Sequence, residues 1–166
     1  KRDGENYIPT DQLYVLSPDG QPINFKKVRR LTRSEMMVME MLSTNEWQRP
    51  MYFATTVGSD YHLGLDPYLE LTGMAYRITP TRSADGRPRV NTEVMYDNMM
   101  NKFRYGNVNK PGIYLDENTL RMCRTHRMMF SELAEALYEE GKHDKAIAVL
   151  DYAEEMLPGY NVSYDY

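Results

Sequence analysis

The chain has 166 residues, of which 42% are hydrophobic and 27% charged, and its formal net charge is −4. This composition excludes a disordered chain and permits the core of one domain, or of a small domain with a helical appendage. Apolar runs are only a few residues long, so none is long enough to span a bilayer. The first ten residues lack Met and the apolar stretch of a signal peptide, which suggests a piece of a larger protein.

Acidic residues are concentrated in the last third of the chain. Residues 111–166 carry five Lys/Arg against eleven Asp/Glu, a net charge of −6. Because nucleic acid is also negatively charged, we do not expect general nucleic-acid binding. The three histidines are scattered, so we expect no metal site, and the absence of a phosphate loop or Gly-rich dinucleotide fingerprint predicts no cofactor. Cys123 is the one cysteine and lies in an apolar helical pattern, so we expect a buried thiol and no disulfide.

The first third predicts a β-hairpin followed by a helix. Residues 13–16 and 23–25 are strand-like and flank a Ser-Pro-Asp-Gly turn. Five Lys/Arg then occur in residues 26–33. Thr32 and Glu35 have the spacing of a capping box, which predicts the start of a helix. The apolar side of this helix is predicted to comprise Met36, Met37, Met39, Met41 and Leu42.

Further strands and helices follow. Residues 51–57 and 74–79 predict strands, the first buried on both faces, and we expect one small sheet that includes the hairpin. Residues 67–71 predict a helical turn and residues 81–89 a loop. Three more helices are predicted after these strands. Asn91 or Thr92 caps the first, Asp116 caps a long helix that ends at Gly141, and Asp144 caps the last.

These elements predict an α+β fold. A small β-sheet packed by helices is expected over residues 1–110. A long helix and an antiparallel helical hairpin are expected over residues 111–166, packed as one unit.

The closing hairpin matches the 34-residue pattern of a tetratricopeptide (TPR) repeat. Its eight matched positions are Phe130, Leu133, Ala134, Leu137, Ala146, Leu150, Ala153 and Pro158. The small residues let two helices approach closely, and we expect Ala146, Val149, Leu150 and Ala153 to form the inner face of the second helix. Because one repeat cannot bury both of its faces, the hairpin either packs on the preceding elements or continues into further repeats. It forms either a peptide-binding groove or part of the core.

Six residues are candidate contacts for a ligand or partner. Trp47 and Tyr52 can stack on a sugar, with Arg49 or Asn45 bonding its hydroxyls, although a lone Trp before a strand is also typical of a packing anchor. Arg121 and Arg124 recur with Arg127 at every third position of the long helix. They can bind phosphate or carboxylate, or pair internally with the acidic helices.

The basic residues 26–33 have two interpretations. They can contact anionic lipid headgroups, or they form an ordinary solvated edge. Carboxylate pairs such as Glu139-Glu140 and Glu154-Glu155 are interpreted as surface charge, so we predict no catalytic residue in this chain.

Several ordered blocks carry a family resemblance. They are Asn45-x-Trp47-x-Arg49-Pro50-x-Tyr52-Phe53-Ala54, Gly64-Leu65-x-x-Tyr68-Leu69, Gly73-Met74-Ala75-Tyr76-Arg77, Tyr96-Asp97-Asn98-Met99-Met100-Asn101-Lys102-Phe103 and Tyr114-Leu115-Asp116-Glu117-Asn118. With the hairpin, they resemble the C-terminal soluble region of a bacterial family of multi-spanning membrane proteins related to protein O-mannosyltransferases. The resemblance implies a parent protein that is a membrane glycosyltransferase using lipid-linked sugars. Its catalytic carboxylates would lie outside this chain, and this region would face the extracytoplasmic (periplasmic) side.

The function predicted from the resemblance is that of a noncatalytic accessory and protein-interaction domain. Its partners would be a protein or peptide and the membrane part of its own parent chain, and membrane contact would come through the parent or the basic residues 26–33. The alternative is a carbohydrate-binding module that uses Trp47, Tyr52 and Arg49 to bind a glycan. A self-standing hydrolase is the third interpretation.

Overall fold

The computed structural model describes residues 13–26 and 31–164, and the chain forms two compact units. The first unit comprises Lys1–Glu70 and Ala75–Arg89, and the second comprises Leu71–Met74 and Val90–Tyr166. The predicted division at residue 110 stays a prediction. The α+β class, with small sheets, helices and a C-terminal helical pair, is confirmed.

The first unit opens with a two-stranded antiparallel hairpin, β1 (Tyr14–Leu16) and β2 (Pro22–Asn24). Val15 lies opposite Ile23, and both are buried in one hydrophobic cluster with Leu42. The hairpin pairs with no other strand of the described residues and forms a sheet of its own. The expectation that it joins the later strands is wrong. Its apolar face is covered by packing against a helix and the rest of the cluster.

Helix α1 spans Arg33–Asn45 and begins at the predicted capping box. The Glu35 backbone N–H donates to Thr32 Oγ1 at 3.3 Å, and the Thr32 N–H donates to Glu35 Oε2 at 2.6 Å. The helix ends where Glu46 and Trp47 take left-handed backbone angles, with φ of 45° and 60°. Because α1 ends at Asn45, the candidate residues Trp47 and Arg49 lie in the turn that follows it.

A four-stranded sheet follows in the order β3–β5–β4–β6. Its strands are β3 (Tyr52–Ala54), β4 (Leu69–Leu71), β5 (Ala75–Ile78) and β6 (Arg89–Val90). A 3₁₀ turn over Asp66–Tyr68 leads into β4, so only the first part of the predicted helical turn forms. The prediction that the strand near residues 51–57 is buried on both faces is wrong, because β3 lies at the edge of the sheet and its Tyr52 side is exposed.

The second unit begins with a short helix, α2 (Thr92–Tyr96), that continues as a π-helical turn over Asp97–Lys102. Asn91 is the cap, since its side chain accepts from the Val94 N–H at 3.0 Å. Met95 and Met99 are fully buried. The Asn98 side chain donates to the Thr72 carbonyl at 2.7 Å, which fixes the turn before β5 beside this helix.

The closing helical pair consists of α3 (Glu117–Glu139) and α4 (His143–Met156). Asp116 caps α3 as predicted, accepting from the Asn118 and Thr119 N–H groups at 2.9 and 3.0 Å. Gly141, with φ 76°, lies in the turn between the helices, as predicted. Asp144 does not cap α4, because the helix begins one residue earlier and Asp144 lies in its first turn.

The inner face of α4 differs from the prediction at one residue. Ala146, Val149 and Ala153 are buried, whereas Leu150 is half exposed. The prediction for Leu150 is wrong because it lies about 100° around the helix from Val149, beyond the edge of the packed face. Cys123 is buried as expected, and burial raises the pKa of its thiol.

Candidate functional site

The side chain of Asn45 forms hydrogen bonds within the turn that follows α1. Asn45 Nδ2 donates to the Arg49 carbonyl at 2.7 Å, and Asn45 Oδ1 accepts from the Arg49 N–H at 3.3 Å. Both ends of the amide therefore close the loop of residues 45–49. This geometry makes Asn45 a positioning residue for the loop.

Trp47 is held by the hairpin. Its indole Nε1–H donates to the Leu16 carbonyl at 2.7 Å, and its ring packs against the hydrophobic cluster of the first unit. The ring also lines a groove of about 410 Å³ together with Tyr14, Pro18 and Leu42. Trp47 thus anchors the hairpin and leaves part of its surface open to that groove.

Tyr52 and Arg49 are the more accessible members of the predicted sugar-binding set. Tyr52 lies on the edge strand β3 opposite Arg77, and half of its surface is exposed. Arg49 is exposed in the loop before this strand. These two side chains can contact a ligand without moving any packed group.

Three methionines of α1 face solvent: Met36, Met37 and Met41 are 54–65% exposed. The prediction that they belong to the inward apolar side is wrong, because Leu42 is the buried residue of this helix. Met37 and Met41 are four residues apart and so share one side. The sequence held a usable signal, because six apolar residues within 36–42 exceed what one face of a helix can bury.

Helix α1 also contributes to a groove of about 440 Å³ that it forms with β3 and the segment after it. It is lined by Ser34, Glu35, Val38, Phe53, Thr56, Val57, Gly58 and Tyr61. Most of this lining is apolar or small, and Tyr61 is largely exposed at the edge. The groove and the methionines together form the α1 surface, which we define as Met36, Met37, Met41 and this groove.

The basic segment is only partly covered by the structure. Residues 27–30 lie outside the described residues. Lys26 is exposed, and its backbone N–H donates to the Leu63 carbonyl at 2.7 Å. Arg33 begins α1 and is exposed.

The three arginines of α3 have different environments. Arg121 is exposed and donates to Asn118 Oδ1 at 3.3 Å. Arg124 is partly buried, and its Nε finds no hydrogen-bond partner within the described part of the chain. Arg127 is only 7% exposed. They therefore do not present one shared anion site.

Arg127 ties the segment after α4 back to α3. Its guanidinium donates to the carbonyls of Leu157, of Val162 at 2.8 Å and of Ser163 at 3.3 Å, and it stacks on the Tyr164 ring at 4.0 Å. Its hydrogen-bond acceptors are thus backbone carbonyls instead of the helix carboxylates expected from sequence. No local sequence pattern could reveal this arrangement, because the acceptors lie 30–36 residues further along the chain.

Glu154 completes this arrangement. The Tyr164 hydroxyl donates to Glu154 Oε2, and the Gly159 N–H donates to Glu154 Oε1 at 3.2 Å. The Tyr164 hydrogen bond, then the Gly159 hydrogen bond and the nearby Arg127 charge, hold the pKa of Glu154 below its usual value. The ionised carboxylate therefore stabilises the segment after α4 (residues 157–164) in this position, and protonation weakens that stabilisation.

A second exposed apolar surface lies on the helical pair. Ile147 and Leu150 of α4 are 59% and 49% exposed. Tyr138 near the end of α3 is exposed and packs on His143, with ring centroids 4.5 Å apart. We define Tyr138, His143, Ile147 and Leu150 as the outer stripe.

The six predicted contact residues are divided between the two units. Asn45, Trp47, Arg49 and Tyr52 lie in the first, and Arg121 and Arg124 in the second. Within residues 13–26 and 31–164, no group of three His, Cys, Asp or Glu is placed to hold a metal ion. Over the same ranges, no helix combines the length and apolar character needed to cross a bilayer.

The chain was compared with protein families, curated proteins and solved structures. A family model described as TMEM260-associated domain 2 matches residues 5–99, which is more than half of the chain. No curated protein and no solved structure matches.

Proposed function

Because the chain belongs to the TMEM260-associated domain 2 family, we propose that it is a noncatalytic accessory and protein-interaction domain of a TMEM260-like membrane protein. The observation that carries the proposal is the exposure of Met36, Met37 and Met41 on α1, a helix that also contributes to an open groove. Met37 and Met41 are neighbours one turn apart, and exposed apolar surface of this kind is typical of protein-interaction sites. Methionine suits such a surface because its flexible thioether chain adapts to the partner.

The finer content of the proposal comes from the resemblance. The parent is a bacterial membrane glycosyltransferase related to protein O-mannosyltransferases, and its catalytic carboxylates lie outside this chain. The domain is placed on the extracytoplasmic side. There it contacts an acceptor protein or peptide and the membrane part of its own chain, with the C-terminal helical pair acting as a TPR-like module.

Photo-crosslinking in the full-length parent, in its own membrane, tests this proposal. A photoreactive residue replaces Met37 or Met41, and the cross-linked peptide is identified by mass spectrometry. We expect cross-links to the membrane part of the same chain or to an acceptor polypeptide. The matched control carries the photoreactive residue at Gln21, an exposed position in the hairpin turn. Equal cross-linking from Gln21, or cross-links to lipid only, would contradict the proposal.

A carbohydrate-binding module is the second candidate. The half-exposed ring of Tyr52 and the exposed Arg49 favour it. The hydrogen bond from Trp47 to the Leu16 carbonyl weighs against it, since the polar edge of the indole is already used. Glycan titration monitored by Trp47 fluorescence distinguishes the two functions: a saturable change that Tyr52→Ala abolishes would support sugar binding, and an unchanged signal would argue against it.

A further inference from the structure

Seven of the eight positions that match the helical-repeat pattern are buried, namely Phe130, Leu133, Ala134, Leu137, Ala146, Ala153 and Pro158. Leu150, the eighth, is 49% exposed. The buried positions close α3 against α4. About half of the Leu150 side chain remains accessible, so it can contact another element.

The surroundings of Leu150 extend the apolar surface. Ile147 lies three residues earlier, so the two side chains are neighbours on one side of α4. The Tyr138 and His143 rings, in contact with each other, lie at the N-terminal end of α4. The outer stripe therefore runs along about two turns of helix, with aliphatic side chains in the middle and aromatic rings at one end. Such spacing suits the apolar face of a second helix.

The charges around the outer stripe are mainly acidic. Asp144, Asp151 and Glu154 are exposed on α4, and Glu135 is exposed on α3. The cations of α4 and the preceding turn are directed to another carboxylate: Lys142 Nζ lies 2.7 Å from Glu93 Oε1 and Lys145 Nζ lies 3.9 Å from it. Glu154 is near the Arg127 charge, so the negative charge beside Ile147 and Leu150 comes mainly from the exposed carboxylates of Asp144 and Asp151.

We propose that the outer stripe docks an amphipathic helix of a partner protein, with an apolar face for Ile147 and Leu150 and with Lys or Arg along its flanks. This inference rests on the proposed interaction function and names the chemistry of one partner. A second copy of this chain fits less well, because two acidic α4 surfaces would repel each other. Basic flanks on the partner also favour encounter, since complementary charge steers association.

The test uses the 166-residue chain and two synthetic probes. The first probe is an 18-residue helical peptide with a leucine stripe and Lys/Arg flanks, labelled for fluorescence anisotropy. The second has the same leucine stripe with Glu flanks. The variant Ile147→Ser/Leu150→Ser removes the apolar centre. It should still fold, because about half or more of each side chain is already exposed to solvent. Ala148→Ser, also exposed but on the adjoining side of α4, is the matched control.

We expect saturable binding of the basic peptide, at least tenfold weaker for Ile147→Ser/Leu150→Ser and unchanged for Ala148→Ser. Raising the salt concentration from 0.05 to 0.3 M should weaken binding several-fold, because exposed charges are screened. The acidic peptide should not bind. Equal binding by the double variant, equal binding of the acidic peptide, or a dimer that uses this face would each overturn the inference.

The result is independent of the α1 cross-linking. If the peptide does not bind but Met37 or Met41 gives specific cross-links, the docking role of the outer stripe is overturned and the proposed function stands. If the peptide binds but α1 gives no specific cross-link, the proposed function based on α1 is overturned and the docking role of the outer stripe stands.

Discussion

At the scale of single residues, Arg127 is the side chain that most constrains the second unit. A buried cation is costly unless its donors are satisfied, and here three backbone carbonyls and the Tyr164 ring surround the guanidinium. One of these acceptors, the Leu157 carbonyl, lies at the end of α4, where a helix leaves carbonyls without partners. Arg127 therefore joins the segment after α4 (residues 157–164) to α3.

Arg127→Met should lower the free energy of unfolding of the second unit by about 3 kcal/mol, because the buried carbonyls lose charged hydrogen-bond donors. Arg121→Met is the matched control: it removes the same group from an exposed position on the same helix, and should change stability by less than about 0.5 kcal/mol. Urea unfolding followed by circular dichroism at 222 nm measures both. Equal effects of the two variants would show that Arg127 has no special structural role.

Glu154 makes the same segment sensitive to acid. Its folded-state pKa is lower than the ordinary 4.5, so its contribution to stability is complete above about pH 4.5 and is lost as the pH falls through the lowered pKa. Glu154→Gln should be less stable than the unmodified chain at pH 7, and the difference should shrink at pH 3. Glu155→Gln removes the same charge one position away. A difference that stays constant with pH, or one equal to that of Glu155→Gln, would contradict the assignment.

At the scale of elements, the start of α1 is the helix boundary best specified by local chemistry. Thr32→Ala removes the side-chain acceptor of the Glu35 N–H and should cost about 1 kcal/mol. Thr44→Ala, near the other end of α1, removes a hydroxyl that bonds within the helix to the Glu40 carbonyl and should cost less than about 0.5 kcal/mol. Because Trp47 is the one tryptophan of the chain, its fluorescence during urea unfolding reports on the first unit. An equal loss for both variants would rule out the cap as the cause.

The elements that could be predicted are those governed by local chemistry. The Thr32 capping box, the Asp116 cap and the turn at Gly141 depend on neighbouring residues, and all are confirmed. Strand β6 is only two residues long, so no alternating pattern could reveal it, and β4 lies in the segment predicted as a helical turn. The separate hairpin sheet depends on which apolar faces meet, which is a tertiary property.

The candidate surfaces could be predicted only in part. In the sequence, Trp47 fits two roles, a sugar contact and a packing anchor, and its hydrogen bond to the Leu16 carbonyl favours the anchor. The methionines of α1 and Leu150 are predicted to be inside, because an apolar residue at helical spacing usually packs. Whether it does depends on how much apolar surface the rest of the unit can cover. For α1 and α4, that coverage leaves Met36, Met37, Met41 and Leu150 exposed.

At the scale of the whole molecule, the family match and the two exposed apolar surfaces support the same kind of function. The match covers residues 5–99 and includes α1 with its methionines. The outer stripe lies on α4, beyond the matched range. The chain thus offers one surface inside the family region and one outside it, so the two can be tested separately by substitution.

The central claim is that this chain contributes contacts and no chemistry to its parent. The most direct measurement incubates the purified chain with a lipid-linked sugar donor and an acceptor peptide, and follows both transfer and hydrolysis of the sugar. We predict a rate equal to that of the protein-free blank, with transfer observed only when the membrane part of the parent is present. Transfer or hydrolysis by the purified chain alone, above the blank, would contradict the account.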